Sequence, residues 1–226
     1  PGAAAAAAAA RPSVAGFSAA ISACEKGGQW QFALVLLRDM LLMRVSPNEV
    51  SFNAAISACE KCGQWQVALN LLHSMHMVKV LPSEVSFNAA VSACERAGLW
   101  QLSLALLARM AELGVRRNAI SCSATMSTCE KAGRWRLATG LLAGMLQTLL
   151  RPNLITLCAA ISACKKRGRW QLSLGLLDDM LLADVTPDEV TYEAVVDACE
   201  TAGCWHLVPG LLGELPQLRR SVREAE

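Results

Sequence analysis

Cysteine and histidine side chains carry the most obvious chemical potential of this sequence. It contains ten cysteines in 226 residues, and Cys59, Cys62, His73 and His76 join a Cys-x2-Cys pair to a His-x2-His pair. Such pairs bind zinc when the stretch between them is long enough to fold into a finger. Here only residues 63–72 separate the pairs, and the two histidines are closer together than in a finger. We therefore expect no metal and no cofactor.

The sequence also lacks the residue sets of enzymes that act on nucleic acids. A zinc-dependent base deaminase needs a His-x-Glu and a later Cys-x-x-Cys. His206 is followed by Leu207 and Val208, no cysteine pair follows, and no acidic cluster of the nuclease type is present. The periodic glutamates are interpreted as solvated helix surface. We expect no catalytic activity and no small-molecule substrate.

The cysteines are better explained by a repeat. Six of them recur every 35 residues, six tryptophans do the same, and a glycine lies two residues before each tryptophan. A fixed period of about this length is typical of solenoids. The cysteines are Cys24, Cys59, Cys94, Cys129, Cys164 and Cys199, and the tryptophans are Trp30, Trp65, Trp100, Trp135, Trp170 and Trp205.

Composition narrows the function classes. Hydrophobic residues make up 54% of the chain, which excludes a disordered protein. Every apolar run is interrupted well before the roughly 18 residues that a membrane span needs, so we expect no membrane partner. The net charge of +2 excludes a dominant polybasic surface but is compatible with a local basic line. The alanine-rich segment 1–13 lacks the features of a secretory signal.

Each period predicts two helices. In the second copy, Phe52 and Ile56 belong to an apolar stripe at helical spacing, with Ser51 as the expected N-cap and Gly63 closing the helix. A second stripe begins at Trp65, where the ring is expected to pack between helices rather than stack on bases, and ends in a connector that contains a proline. A single hairpin cannot bury both stripes, so neighbouring hairpins must stack. The expected repeats are 14–48, 49–83, 84–118, 119–153 and 154–188, with a degenerate sixth at 189–215 and a charged tail at 216–226.

The sixth repeat departs from this pattern. Pro209 falls inside its expected second helix, where proline removes a hydrogen bond and clashes with the preceding turn. We expect that helix to break or kink.

A 35-residue hairpin with Phe-Asn opening its first helix, a basic residue and Gly closing it, Ala-Leu-x-Leu-Leu-x-x-Met in its second helix and Pro-Asn or Pro-Asp in its connector resembles the pentatricopeptide repeat. The resemblance covers residues 14 to about 215, and all repeats have the plain 35-residue length. It implies an all-α fold, a right-handed α-solenoid superhelix of stacked helix-turn-helix hairpins, whose inner groove binds single-stranded RNA with one base per repeat.

The resemblance also implies where bases are read. In the family, the fifth residue of a repeat and its last residue read one base together. The pairs here suggest A, C, a pyrimidine and A in order, with the fifth base undefined because Cys158 is unusual. Glu193 with Arg223 in the sixth repeat matches no pair. The expected base-reading pairs are Ser18 with Asn48, Asn53 with Ser83, Asn88 with Asn118, Ser123 with Asn153, and Cys158 with Asp188.

Two further sets of residues fit an RNA groove. Apolar second residues of the repeats are expected to wedge between bases, and a basic line near the ends of the first helices is expected to meet phosphates. The basic residues and the connector asparagines of the reading pairs also have structural explanations. Lysines stabilise helix C-termini, and asparagines in the connectors are suited to cap the following helices. The wedge residues are Ala15, Val50, Val85, Ile120 and Ile155, and the basic residues are Lys26, Lys61, Arg96, Lys131 and Lys166.

Two functions therefore remain open. One is a sequence-selective RNA-binding protein, which the resemblance places in RNA processing, stability or translation in a mitochondrion or chloroplast. The other is a helical scaffold that presents the same surface to a protein partner. About five bases specify a transcript poorly, so the first function implies further repeats or a partner that adds specificity.

Overall fold

The structure of the chain is a computed structural model that describes residues 13–206 and 208–210. All regular secondary structure in that part of the chain is helical. The first helices of the repeats, called A helices, are α1 (Val14–Lys26), α3 (Glu49–Lys61), α5 (Glu84–Arg96), α7 (Ala119–Lys131), α9 (Leu154–Lys165) and α11 (Glu189–Thr201). The second helices, called B helices, are α2 (Trp30–Leu42), α4 (Trp65–Met77), α6 (Trp100–Glu112), α8 (Trp135–Gln147) and α10 (Trp170–Leu182).

The helices form two compact units, an N-terminal unit that ends at Arg116 and a C-terminal unit that begins at Arg117. In the N-terminal unit, α3 packs between the neighbouring A helices α1 and α5, and each A helix packs against its own B helix. In the C-terminal unit, α9 holds the same position between α7 and α11. Within each unit, stacking of A helices is therefore the main contact between repeats.

The core of each unit consists of side chains that recur with the repeat. Phe52, Ile56 and Cys59 lie on the buried face of α3, and the corresponding positions of the later A helices are buried as well. The methionines near the ends of the B helices are also buried: Met40, Met75, Met110, Met145 and Met180. Because each apolar stripe is covered by a neighbouring helix, burial of this surface provides the main stabilisation.

The periodic cysteines are part of this core. All ten cysteines are free thiols, and the repeat cysteines from Cys59 onward are fully buried. Burial raises the pKa of the Cys59, Cys94 and Cys164 thiols to about 11. These thiols stay protonated at neutral pH and act as small apolar side chains.

The A helices begin three residues earlier than the sequence predicts, as α3 shows with its first helical residue at Glu49. The N-cap of α3 is Asn48, whose side chain accepts a hydrogen bond from the backbone N–H of Ser51. The prediction that Ser51 caps this helix is therefore wrong. Ser51 is the third helical residue and is fully buried. Asn is as good a cap as Ser, and its longer side chain reaches the third N–H from a position outside the helix.

Two tight turns join the helices. The glycine that ends each A helix has the left-handed conformation, for example Gly63 with φ of 70°, which confirms its predicted role. The turn after each B helix uses the same conformation but only repeat three has a glycine there, Gly114. The other described repeats place Arg44, Lys79, Leu149 and Asp184 at φ of 56° to 60°.

The described part of the sixth repeat differs from the earlier repeats at its tryptophan. Trp205 lies in a turn, whereas the earlier tryptophans are the first residues of their B helices. Residues 208–210 are helical, so Pro209 lies at the start of the helical stretch, where its missing N–H costs little. Residues 1–12 of the expected alanine-rich segment 1–13, the end of the sixth repeat and the expected tail 216–226 lie outside the described residues.

Candidate nucleic-acid interface

The two members of each expected base-reading pair lie on consecutive A helices. The fifth residue lies in the second turn of one A helix, and the last residue is the N-cap of the next. The caps are Asn48, Ser83, Asn118, Asn153 and Asp188. The alternative explanation of the connector residues as caps thus applies to all five, and a role in base reading has to use the polar atoms that capping leaves over.

The first pair forms one hydrogen-bonded cluster. Asn48 Oδ1 accepts from the Ser51 backbone N–H at 2.9 Å, from the Ser51 hydroxyl at 2.8 Å and from the Ser18 hydroxyl at 3.3 Å. The oxygens of Ser18 and Ser51 are themselves 2.8 Å apart. The third residue of repeat two therefore joins the two residues that are expected to read the first base.

The second pair is joined in the same way. The hydroxyl of Ser86, the third residue of repeat three, donates to Asn53 Oδ1 at 2.6 Å. The Ser86 hydroxyl oxygen in turn accepts from the Ser83 backbone N–H at 3.1 Å. Asn53 Nδ2 donates to Glu49 at 3.3 Å. A buried hydroxyl again lies between the fifth residue and the following cap.

The fifth pair repeats this arrangement with other side chains. The Thr191 hydroxyl donates to Asp188 Oδ1 at 2.6 Å and lies 2.8 Å from Cys158 Sγ. Burial raises the pKa of the Cys158 thiol, so the thiol stays protonated and donates to Thr191. Cys158, which the sequence left without a defined base, is thus held beside Asp188 as Ser18 is held beside Asn48.

The fourth pair is not joined. The Thr156 hydroxyl donates to the backbone carbonyl of Asn153 at 2.7 Å, and the Ser123 hydroxyl donates to the carbonyl of Ile120 at 3.0 Å. Asn153 Oδ1 accepts only the Thr156 backbone N–H, at 3.0 Å. The third pair, Asn88 and Asn118, is divided between the two compact units, and each residue belongs to its own unit.

The third residue of the repeats was not among the expected site residues. It is Ser or Thr in repeats two to six, and each of these hydroxyls is fully buried. A polar residue that recurs on the buried face of a helix was the available signal, because a buried hydroxyl must find a hydrogen-bond partner. The residues are Ser51, Ser86, Ser121, Thr156 and Thr191.

The expected wedge residues are exposed. Val50 and Val85 are each 56% exposed, and Ile120 and Ile155 are 60% and 61% exposed. Ala15 is exposed at the corresponding place in α1. Four β-branched apolar side chains therefore recur at one surface position of the repeat, where each can contact an apolar surface such as a base.

The expected basic line is paired with acidic residues of the preceding repeat. Lys61 Nζ lies 2.8 Å from Glu25, Arg96 Nε lies 3.1 Å from Glu60, and Lys166 Nζ lies 3.7 Å from Glu130. Hydrogen bonding to Glu25 raises the pKa of Lys61. Lys26 and Lys131 are exposed at the ends of α1 and α7. The interpretation of the periodic glutamates as simple solvated surface overlooked these ion pairs between repeats.

Tryptophan and the zinc candidates occupy other places. The tryptophans that begin the B helices are half-buried, and the guanidinium of Arg169 lies 5.0 Å from the centre of the Trp135 ring. Cys59 is in the core, and Cys62 donates to the carbonyl of Gly28 at 3.2 Å. His73 and His76 lie on α4, where they line a cavity of about 170 Å³ with Arg109 and several leucines. The four candidate zinc ligands are therefore not brought together.

Two negative findings apply to the part of the chain that the structure describes. No group of three or more His, Cys, Asp or Glu residues there is arranged to hold a metal ion. None of the helices in residues 13–206 and 208–210 has the length and apolar character needed to cross a membrane.

Comparison with known families agrees with the repeat. The model of the pentatricopeptide repeat domain matches residues 6–62, 35–96 and 105–167, and a single-repeat model of the same family matches residues 85–115 and 155–185. Together the domain matches cover more than half of the chain. The chain belongs to the pentatricopeptide-repeat family, as the resemblance of its repeats indicates.

Solved structures show the same fold. The pentatricopeptide repeat protein PPR10 from maize is 23% identical with a TM-score of 0.66, and the match covers 92% of this chain and 30% of PPR10. PPR10 in complex with an 18-nt psaJ RNA element is 22% identical with a TM-score of 0.69, over 85% of this chain and 28% of PPR10. The PPR domain of Arabidopsis thaliana protein-only RNase P 1 in complex with tRNA is 15% identical with a TM-score of 0.71, over 80% of this chain and 95% of that one.

These likenesses confirm the expected all-α solenoid fold of stacked helical hairpins. The chain spans about 30% of the length of the maize protein. No curated protein sequence matches the chain.

Proposed function

We propose that this chain binds single-stranded RNA and selects bases with the side-chain pairs at the fifth and last positions of its repeats. The observation that carries the proposal is the clustering of Ser18 with Asn48, Asn53 with Ser83 and Cys158 with Asp188 around one hydroxyl each. Each cluster holds two short polar side chains together at one place per repeat. That spacing suits an extended single strand read one base at a time.

Two further features support the proposal. The exposed apolar second residue of each repeat lies three positions before the fifth residue, on the same A helix, where it can pack against a base. Two of the similar structures are described as complexes with a psaJ RNA element and with tRNA. The proposed preference is A, C, a pyrimidine and A for the first four repeats.

We infer that the chain acts by binding alone, in the maturation, stability or translation of an organellar transcript. Single-stranded RNA is its proposed partner, and additional specificity comes from further repeats or a second protein, since about five bases recur often in any transcriptome.

The test is equilibrium binding of the purified chain to a fluorescent RNA that carries A-C-U-A, with a scrambled RNA of the same composition as control. We expect tighter binding to the first RNA and an affinity that falls with added salt. Equal and negligible binding to both would remove the proposal and favour the alternative, a scaffold for a protein partner.

A double substitution tests base reading directly. Asn53→Ser combined with Ser83→Asn recreates the side chains of the first pair around Ser86, which corresponds to Ser51. We expect the preference at the second base to move from C to A, while the preference at the first base stays. An unchanged preference at the second base would contradict the assignment of this pair.

A further inference from the structure

In repeats two to six, the third residue is a serine or threonine whose side chain is fully buried. In the first pair, that hydroxyl belongs to Ser51 and contacts both reading side chains. A residue in such a place determines which polar atoms of the pair face outward, because each hydrogen bond inside the cluster removes one donor or acceptor from the outer face.

The hydrogen bonds inside the first cluster determine which polar atoms of Ser18 and Asn48 remain available on its outer face. Asn48 Oδ1 accepts the Ser51 backbone N–H. It also accepts a hydroxyl hydrogen from Ser51 or Ser18, because the other hydroxyl donates across the Ser18–Ser51 hydrogen bond, and these two hydrogen bonds use both lone pairs of the oxygen. The amide Nδ2 of Asn48 is therefore the group that can meet a base, and it can only donate. The single hydroxyl hydrogen of Ser18 points to Asn48 or Ser51, which leaves its oxygen as an acceptor.

A face with one donor and one acceptor matches the Watson–Crick edge of adenine, which offers the N6 amino group as donor and N1 as acceptor. Guanine presents the reverse pattern, with O6 as acceptor and N1–H as donor, so two polar groups would meet their like. Leaving such groups unpaired at a dry contact strongly disfavours the wrong base.

The fourth pair contains the same two side chains but has a different outer face. Thr156 donates to a backbone carbonyl and not to the Asn153 side chain. Asn153 Oδ1 accepts one hydrogen bond and keeps the capacity to accept another. This pair can therefore accept a hydrogen bond from guanine N1–H as well as donate to adenine N1.

We propose that the buried hydroxyl at the third position, Ser51 above all, is a positioning residue that sets base selectivity by fixing the hydrogen-bonding polarity of the preceding reading pair. The inference rests on the proposed RNA binding. It goes beyond that function because it assigns selectivity to a side chain that no base touches. It also makes two pairs with the same side chains unequal in selectivity.

The first measurement uses the unmodified chain. Affinities are compared for the A-C-U-A RNA and for versions with G in place of the first or the fourth A. We expect the preference for A over G to be about tenfold greater at the first base than at the fourth, which is the size of one well-formed hydrogen bond. Equal preferences at the two bases would overturn the proposal, while binding to all three RNAs would leave the proposed function intact.

The second measurement changes the hydroxyl. Ser51→Ala should reduce the A-over-G preference at the first base about tenfold and leave the preference at the fourth base unchanged. Thr156→Val, a matched removal of a buried hydroxyl, should leave the preference at the fourth base within about twofold. Ser51→Thr restores the hydroxyl and should restore the preference, because Thr191 joins its pair from the same position.

The outcomes separate the two hypotheses. A uniform loss of affinity for every RNA in Ser51→Ala, with the preference retained, would show a purely structural hydroxyl and sink the proposal. Absence of RNA binding by the unmodified chain would sink the proposed function instead. Thermal unfolding monitors the fold of each variant.

Discussion

The first and fourth of the proposed base-reading pairs have the same side chains at the same repeat positions, yet their hydrogen bonds differ. Ser18 and Asn48 are linked through Ser51, whereas the hydroxyls near Asn153 turn to backbone carbonyls. Identical side chains at the fifth and last positions of a repeat therefore do not guarantee identical hydrogen bonding. The orientation of a neighbouring buried hydroxyl decides which atoms remain available to a ligand.

Removing the N-cap side chains of the two pairs, Asn48 and Asn153, should give the largest difference in stability between them. Asn48→Ala removes an acceptor that three donors share, whereas Asn153→Ala removes an acceptor of one backbone N–H. We expect the free energy of unfolding without RNA to fall by about 2 kcal/mol for the first variant and about 1 kcal/mol for the second. Urea denaturation followed by circular dichroism measures both. Equal losses would show that the extra hydrogen bonds at Asn48 contribute nothing to stability.

The connectors that lead to the two caps offer a second test. Arg44 and Leu149 have φ of 57° and 56°, a conformation that strains residues with a Cβ atom. Repeat three has Gly114 at the same place. Arg44→Gly and Leu149→Gly should each raise the free energy of unfolding by roughly 0.5 to 1 kcal/mol.

Gly114→Ala is the matched control for the connectors and should lower stability, since the open space around Gly114 leaves backbone strain as the only cost. Base preferences should not change in either glycine variant. If Leu149→Gly raised the A-over-G preference at the fourth base to that of the first, connector strain and not the hydroxyl would explain the unequal pairs.

Much of the fold could be predicted from the sequence because its determinants are local and repeated. The 35-residue spacing of Trp65 and its counterparts marks the start of each described B helix except in the sixth repeat, and Gly63 with its counterparts ends the A helices. The starts of the A helices were placed wrongly because Asn48 and Ser51 are both good caps. Only packing, which buries Ser51, decides between them.

The candidate site was predictable only in part. The family pattern gave the positions of Ser18 and Asn48, but it could not give the direction of their hydroxyl and amide groups. Ser18 and Ser123 are the same residue in the same helical turn, and one donates to side chains while the other donates to a carbonyl. Such a choice depends on rotation about one bond among competing acceptors, for which the sequence has no signal.

The ion pairs between repeats should give the smallest effect, a change in RNA affinity. They involve the helices that contain Ser51 and Thr156. Lys61 extends from the helix of Ser51 to Glu25, and its ammonium group is held by that carboxylate. Lys166, which caps the helix of Thr156, also donates to the backbone carbonyl of Glu130 at 2.7 Å. Removing the carboxylate should therefore free Lys61 but leave Lys166 held.

Glu25→Gln and Glu130→Gln remove one negative charge each. A difference in RNA affinity between the two variants therefore reports on the release of the Lys61 ammonium group. If the basic line meets phosphates, Glu25→Gln should raise RNA affinity about two- to threefold at low salt and steepen its salt dependence, and Glu130→Gln should do so less. Binding measured across a salt series tests this. Equal small gains in affinity would mean that the loss of negative charge alone is responsible. Unchanged affinity together with lower stability in Glu25→Gln would assign Lys61 a structural role, because its ion pair would then serve only to join the repeats.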